Sequence, residues 1–109
     1  IIRTEEGLKK GLDSVDFALS ICDKIHYDPT VSVYHNYSLK DMLTLGRACM
    51  LSALNRKETR GAHIRADFPE TSEEFRRPTL VNMENGEIKI TLAESTEIPD
   101  YEPLPELFD

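Results

Sequence analysis

The most informative stretch of this chain is residues 55–70, which read Asn55-Arg56-Lys57-Glu58-Thr59-Arg60-Gly61-Ala62-His63-Ile64-Arg65-Ala66-Asp67-Phe68-Pro69-Glu70. It gathers cationic side chains within about three helical turns, at Arg56, Lys57, Arg60, His63 and Arg65. The whole chain has 13 basic and 20 acidic residues, for a net charge of −7. The stretch is therefore a local positive patch on an acidic protein.

The spacing within this patch is typical of the end of a helix. Arg56, Arg60 and His63 are separated by four and then three residues, which places them on one side of a helix. Gly61 weakens a helix interior, and Pro69 prevents continuation. We predict a helix over about 38–64 that ends here, and a solvated basic helix end is the simplest interpretation of the charges.

The order of these residues is more specific than their charge. The run from Arg56 to Glu70, followed by Thr79-Leu80, resembles the signature Arg-x-Glu-Ser-Arg-Gly-Ala-His-x-Arg-x-Asp-(Phe/Tyr)-Pro. That signature marks the C-terminal helical domain of succinate dehydrogenase and fumarate reductase flavoproteins, which L-aspartate oxidase shares. Thr59 replaces the usual Ser. Weaker similarity covers Ile1 to Leu8 and Tyr101-Glu102-Pro103.

The resemblance implies a mainly α fold: an antiparallel, spectrin-repeat-like helical bundle whose lead-in helix would lie upstream of Ile1, with a C-terminal β-hairpin and an extended tail. It also implies a piece of a larger FAD enzyme that interconverts succinate and fumarate, or that oxidises L-aspartate. In that family the flavin and the catalytic residues belong to other domains. We therefore expect no catalytic, cofactor-binding or metal residues in this chain, and no activity from it alone.

By the same resemblance, the domain packs beside the FAD-binding and capping domains. The candidate docking residues are Glu58, Arg60, His63 and Arg65, because guanidinium groups bind carboxylates and backbone carbonyls at interfaces. A sharper hypothesis is that the patch adds positive potential near an anionic substrate channel. An alternative of another class is a free-standing helical interaction module that binds an acidic partner or a small anion.

Composition limits the other classes. A chain of 109 residues suggests one domain, and a net charge of −7 argues against nucleic acid or an anionic membrane as a partner. No apolar run approaches the roughly 20 residues of a membrane span. Cys22 and Cys49 are predicted to be buried free thiols, which favours a reducing, cytoplasmic setting. The family implies one further partner, an iron–sulfur subunit, and peripheral placement at the inner face of the membrane.

The chain divides into five segments. Thr4 is predicted to cap a helix over about 4–25, whose apolar positions recur every three or four residues. A loop follows over 26–37, and Ser38 is predicted to cap the second helix over about 38–64. Asn85-Gly86 predicts a hairpin over about 79–93, because both residues tolerate positive φ. Residues 95–109 are acidic and interrupted by prolines, which predicts an extended tail.

The second helix is apolar on more than one side. Its predicted packed side carries Leu39, Met42, Leu43, Gly46, Cys49, Met50, Ala53 and Leu54. Leu45, Ala48 and Leu51 spread the apolar character around the cylinder, so the helix needs neighbours on several sides. We therefore expect exposed apolar surface in this chain, and self-association into a homo-oligomer through it.

Overall fold

The computed structural model describes residues 2–22, 24, 30 and 33–94, without the side chains of 33–37. In chain order the elements are β1 (Ile2–Arg3), α1 (Glu5–Cys22), α2 (Val33–Asn55), β2 (Ile64–Arg65), a 3-10 turn (Glu73–Phe75), β3 (Thr79–Glu84) and β4 (Glu87–Leu92). The predicted combination of helices and a small hairpin is confirmed. The predicted tail, 95–109, lies outside the described residues.

Helix α1 begins where the sequence predicts. The Thr4 hydroxyl oxygen accepts a hydrogen bond from the backbone N–H of Gly7 at 3.1 Å, which satisfies one free donor of the first turn. Glu5 lies beside the positive end of the helix dipole and pairs with Lys9 at 2.8 Å. The predicted end at residue 25 is late, since the helix ends at Cys22 and Lys24 lies in a turn.

Helix α2 does not cover 38–64, and that prediction is wrong at both ends. The helix begins at Val33, so Ser38 lies inside it and is not the cap, and residues 33–37 of the predicted loop are helical. The helix ends at Asn55, and a side chain from the following loop, Arg65, donates to its free carbonyl groups. The rest of the predicted loop lies outside the described residues, apart from Thr30.

The two helices pack antiparallel over a small apolar core. A Cβ built on Gly11 would lie 3.1 Å from the Met50 sulfur, and Arg47 Nε donates to Asp16 at 2.7 Å, so positions along α1 run opposite to those along α2. Among the described residues, the buried apolar side chains are Leu12 and Ala53. So small a core leaves much apolar surface uncovered.

The exposed apolar surface expected from the sequence is present. Phe17 on α1 and Met42 and Leu45 on α2 are each about two-thirds exposed. Met42 and Leu39 were predicted on the packed side of α2, and that assignment is wrong. Cys49 is exposed and Cys22 half-buried, so the prediction of buried thiols is wrong as well, although both cysteines are free.

One of the two strand pairs was predicted from the sequence and the other was not. The β3–β4 hairpin follows its prediction: Asn85 and Gly86 have φ of 51° and 79°, the type I′ pattern, and alternate residues of β4 are half-buried. The β1–β2 pair was not predicted. It is parallel, with Ile2 opposite Ile64, and it attaches the start of the chain to the stretch around Arg65.

Two glycines allow a matched test of the backbone. Gly61 has a φ of 57°, whereas Gly46 is helical, and a Cβ at either position would meet no heavy atom of the described residues within 4 Å. Alanine substitutions at the two positions therefore differ only in the backbone conformation that the alanine must adopt. Gly61→Ala should lower the free energy of unfolding by about 1–2 kcal/mol, while Gly46→Ala should raise it by up to about 1 kcal/mol. Denaturant titration of the two variants measures both, and equal effects would contradict the turn geometry.

Candidate functional site

Residues 56–70 form a folded loop, not the last turns of a helix. Arg60 and His63 exchange backbone hydrogen bonds of 2.8 and 2.9 Å around Gly61-Ala62. Of the two central residues only Gly61 has positive φ, which is the type II′ pattern that favours glycine first. The prediction that Arg56, Arg60 and His63 share a helix face is therefore wrong, although the loop brings the three side chains to one cleft.

Glu58 is the anionic centre of this loop. Its side chain is fully buried, and its Oε1 accepts hydrogen bonds from Arg56 Nη1 at 2.7 Å and Arg60 Nε at 3.0 Å. Its Oε2 accepts from Arg60 Nη2 at 3.3 Å and from the backbone N–H of Ser72 at 2.9 Å. Burial alone would raise the pKa of this carboxyl, but the bonds from Arg60, Ser72 and Arg56 outweigh it and lower the pKa to about 2.

Arg56 connects the end of α2 to the segment that leads into the hairpin. Its Nη1 donates to the carbonyl of Phe75 at 2.5 Å, and its Nη2 donates to the carbonyl of Arg77 at 2.6 Å and the hydroxyl of Thr79 at 2.9 Å. The guanidinium also lies 5.7 Å from the centre of the Phe75 ring, within range of a cation–π contact. The 3-10 turn is thereby held against the helix end.

Arg65 is a buried cation of the same loop, and its side chain is 1% exposed. Its Nε and Nη2 bind the Asp67 carboxylate at 2.8 and 2.7 Å, a two-pronged ion pair. Its Nη1 donates to the carbonyls of Ala53 at 2.9 Å and Leu54 at 3.2 Å, at the negative end of the α2 dipole. The hydrogen bond from Arg65 lowers the pKa of Asp67, and the same pair raises the pKa of Arg65.

Asp67 extends this contact to the other helix. Its Oδ2 accepts a hydrogen bond from the backbone N–H of Glu5 at 3.1 Å, in the first turn of α1. A carboxylate suits the positive end of a helix, as a guanidinium suits the negative end. One ion pair therefore joins the start of α1 to the end of α2.

Thr59 explains why the loop needs a hydroxyl. Its Oγ1 accepts a hydrogen bond from the backbone N–H of Arg65 and donates to the carbonyl of Phe68, both at 2.9 Å. Its own carbonyl accepts from the hydroxyl of Thr71 at 2.7 Å. A serine hydroxyl can make the same two bonds, which accounts for the exchange noted in the sequence.

His63 links the loop to β1. Its Nε2 lies 2.9 Å from the carbonyl oxygen of Arg56, so this nitrogen carries the hydrogen and donates it. Its Nδ1 then accepts from Arg3 Nη1, also at 2.9 Å. The two contacts place the hydrogen on Nε2 and leave Nδ1 as the acceptor.

The four candidate docking residues fall into two groups. Glu58 and Arg65 are buried and bonded within this domain, so they cannot contact another domain, and their assignment as docking residues is corrected. Arg60 is 38% exposed and His63 is half-buried, so docking by these two stays a prediction. Glu58 pairs with Arg60, whereas Arg65 pairs with Asp67.

Several structural residues were missed. Arg3 and Asp67 were not singled out, and neither was the role of Arg56. Asp67 could have been found, because it follows Arg65 by two residues, a spacing that suits a strand end or loop but not a helix face. Nothing in the sequence connects Arg3 to His63, since 60 positions separate them.

The exposed side of the loop forms a cleft of about 590 Å³, lined by Arg56, Arg60, His63, Phe75, Arg76, Arg77 and Pro78. We call it the cationic cleft. No carboxylate is among the described residues that line it. Over the part of the chain that the structure describes, no group of three His, Cys, Asp or Glu side chains could hold a metal ion. The chemistry of the cleft suits an anion.

A second, smaller and more apolar groove lies between the two helices. It has a volume of about 420 Å³ and is lined by Ile2, Arg3, Thr4, Gly7, Leu8, Cys49, Met50 and Ala53.

Within the described residues, neither helix is long and apolar enough to cross a membrane.

Comparison with known proteins identifies the family. Residues 1–104 match the family described as "Fumarate reductase flavoprotein C-term". The chain belongs to this family. The resemblance drawn from the Arg56–Glu70 stretch is confirmed.

The names of individual relatives of this flavoprotein C-terminal domain agree with the family match. The chain is 43% identical over 81 residues to an uncharacterized FAD-dependent oxidoreductase of Methanocaldococcus jannaschii, covering 74% of the chain and 15% of that protein. It is 39% identical over 85 residues to L-aspartate oxidase of Pyrococcus furiosus, covering 78% and 14%. It is 30% identical over 86 residues to one of the subunits of fumarate reductase (CoM/CoB) from Methanothermobacter marburgensis, covering 75% and 16%.

A solved structure shows the same fold. A variant of the E. coli quinol fumarate reductase protein FrdA superimposes with a TM-score of 0.68 at 26% sequence identity. The match covers 96% of this flavoprotein C-terminal domain and 19% of that chain. The domain thus spans less than a fifth of the length of the relatives that it matches.

The depressed pKa of Glu58 predicts how stability depends on pH. The carboxylate is favoured in the folded state, so its contribution is complete above its ordinary pKa of 4.5 and is lost as pH falls toward about 2. The full contribution is on the order of 3 kcal/mol. Glu58→Gln should therefore flatten the fall in unfolding free energy between pH 5 and pH 2. Denaturant titrations across this range measure the slope, and an unchanged slope would exclude Glu58 as its source.

Arg65 should be intolerant of lysine. An ammonium group cannot bind both oxygens of Asp67 and the α2 carbonyls at once, so Arg65→Lys should cost about 3 kcal/mol of unfolding free energy. Arg76→Lys is the matched control, because Arg76 is 71% exposed and only weakly paired with Glu73, and it should cost less than about 0.5 kcal/mol. Similar costs for the two variants would show that the two-pronged geometry of the Arg65 guanidinium is unimportant for stability.

Proposed function

We propose that this chain is the C-terminal helical domain of an FAD-dependent oxidoreductase of the succinate dehydrogenase/fumarate reductase type, which interconverts succinate and fumarate. In this role it braces the FAD-binding and capping domains of the same polypeptide through Arg60 and His63. The family match over residues 1–104 carries this proposal.

The arrangement around Glu58 supports a docking role for Arg60. Glu58 binds two nitrogens of the Arg60 guanidinium from the buried side. The third nitrogen, Nη1, has no acceptor among the described residues, and the side chain lines the cationic cleft. A guanidinium that is held on one side and open on the other can bind a carboxylate or a carbonyl with little loss of conformational freedom.

The uncovered apolar surface supports a further packing partner. Phe17, Met42 and Leu45 are exposed on the two helices, as a bundle with one helix removed would leave them. We assign the family's lead-in helix to this surface, which would complete a spectrin-repeat-like bundle. In the 109-residue chain alone, the same surface should favour self-association into homo-oligomers.

L-aspartate oxidase is the second candidate for the parent enzyme. The chain is 39% identical to the Pyrococcus furiosus enzyme of that name, against 30% for the Methanothermobacter marburgensis fumarate reductase. The residues that would choose between these substrates belong, by the family resemblance, to domains outside this chain. A free-standing interaction module is not favoured, because the chain aligns along most of its length with parts of much longer oxidoreductases.

Three further assignments are predictions that follow from the parent enzyme. They are a partnership with an iron–sulfur subunit, a cytoplasmic location at the inner face of the membrane, and a positive potential from the cationic cleft near an anionic substrate channel. The exposed Arg60 would contribute to that potential, whereas Glu58 opposes it.

Removing Arg60 tests the docking role in the full-length flavoprotein. Arg60→Ala with Glu58→Gln removes the arginine together with the buried carboxylate that binds it, while Arg56 keeps its bonds to the carbonyls of Phe75 and Arg77. We expect retained FAD to fall about tenfold and the thermal midpoint to drop, with an unchanged pH profile of kcat.

Glu58→Gln alone is the control for damage to the internal network, since it keeps Arg60, and it should retain FAD. Lys10→Ala is the control for loss of an exposed charge, because Lys10 is 76% exposed on α1. Unchanged flavin content and midpoint in the double variant, with a collapse in turnover, would overturn the docking assignment.

A further inference from the structure

The cationic cleft carries more positive than negative charge. Four of the side chains that line it are guanidinium groups, those of Arg56, Arg60, Arg76 and Arg77. Glu58 pairs with Arg56 and Arg60, and Glu73 lies 3.8 Å from one nitrogen of Arg76. No other carboxylate of the described residues pairs with these four arginines. Four positive charges against two negative ones leave a surplus of two, which a divalent anion would balance.

Arg76 and Arg77 keep most of their hydrogen-bond donors open. Arg77 donates its Nε to the carbonyl of Glu74 at 3.3 Å, and its Nη1 and Nη2 have no acceptor among the described residues. The 3.8 Å between Arg76 and Glu73 exceeds hydrogen-bond distance, and both of these side chains are more than 70% exposed. A guanidinium has five N–H donors in a planar fork that matches the oxygens of an oxyanion. The two arginines therefore offer forks that are available to a ligand.

The backbone that carries these two arginines is anchored from the buried side. Arg56, whose side chain is 16% exposed, donates to the carbonyls of Phe75 at 2.5 Å and Arg77 at 2.6 Å. The Arg56 guanidinium is itself bound by Glu58 at 2.7 Å. Because the chain on both sides of Arg76 is fixed in this way, binding of a ligand needs to order only the arginine side chains, which lowers its entropic cost.

We propose that Arg76 and Arg77 bind a phosphate group in the cationic cleft. A phosphate monoester carries close to two negative charges at neutral pH, which matches the surplus of the cleft better than the single charge of a carboxylate. Its three terminal oxygens can accept from two guanidinium forks at once. Phe75 and Pro78 also line the cleft and offer apolar surface to the organic part of such a ligand.

This site is separate from the docking role of Arg60 and His63. Arg60 adds positive charge to the cleft, but the proposed bonds to phosphate come from Arg76 and Arg77. Neither of these two binds Glu58 in the described structure, so replacing them leaves the buried network intact. Flavin retention reports on docking, whereas phosphate affinity reports on this site. Either can fail without the other.

Calorimetric titration of the full-length flavoprotein with inorganic phosphate tests the site. Arg76→Gln with Arg77→Gln removes both forks and should weaken phosphate binding at low salt at least about tenfold. Arg76→Lys with Arg77→Lys keeps the charge without the fork and should weaken it about threefold. Lys9→Gln with Lys10→Gln is the matched control, because it removes the same charge from an exposed face of α1, and it should leave the affinity unchanged.

Two further titrants identify the ligand. Phenyl phosphate adds a ring that can pack on Phe75 and Pro78, so tighter binding than inorganic phosphate assigns the site to an organic phosphate, and equal binding assigns it to the free ion. Acetate carries one charge and should bind at least about tenfold more weakly than phosphate.

Three results would contradict the proposal. The first is equal phosphate affinity in the wild type and in Arg76→Gln with Arg77→Gln, and the second is acetate binding as tight as that of phosphate. The third is loss of FAD from the glutamine variant with unchanged phosphate affinity, which would assign Arg76 and Arg77 to docking instead.

Discussion

The ion pair of Arg65 with Asp67 is the contact on which the domain depends. It joins the carbonyl end of α2 to the N–H end of α1, and it places opposite charges at the helix ends that favour them. Arg65 is almost completely buried, and a buried guanidinium is tolerated only when its donors are satisfied. The end of α2 supplies the carbonyls of Ala53 and Leu54 as acceptors, and the loop supplies the carboxylate of Asp67. Among the described residues, no buried side-chain nitrogen or oxygen lacks a partner.

This polar network compensates for a small apolar core. In the described structure only Leu12 and Ala53 are buried apolar residues, whereas Glu58 and Arg65 are the most completely buried side chains. A bundle of two helices cannot exclude water from its seam as three can. The domain therefore has its most specific structure at one end, where the network lies, and exposed apolar surface along its helices. Such a distribution suits a part that is completed by packing against the rest of a polypeptide.

The sequence predicted the elements that local chemistry determines. Thr4 as a cap and Asn85-Gly86 as a turn were correct, because each acts on its nearest neighbours. The end of α2 was wrong because the 3.6-residue spacing of Arg56, Arg60 and His63 continues past Asn55, whereas the chain turns there and Arg65 returns to bind the last carbonyls of the helix. Long-range partners such as Arg3 and His63 have no local signal. The motif gave the family, but not which of its charges are buried: Glu58 and Arg65 were expected outside and lie inside.

Native-state hydrogen exchange tests most directly whether this network is the rigid centre of the domain. The decisive amides are those of Arg65, Ala66 and Ser72, which donate to Thr59 Oγ1, the Arg3 carbonyl and Glu58 Oε2. If the network is the rigid centre, these loop amides exchange as slowly as the amide of Leu12 in the middle of α1. Exchange of these amides much faster than in α1, by opening of the loop while the helices stay folded, would contradict it.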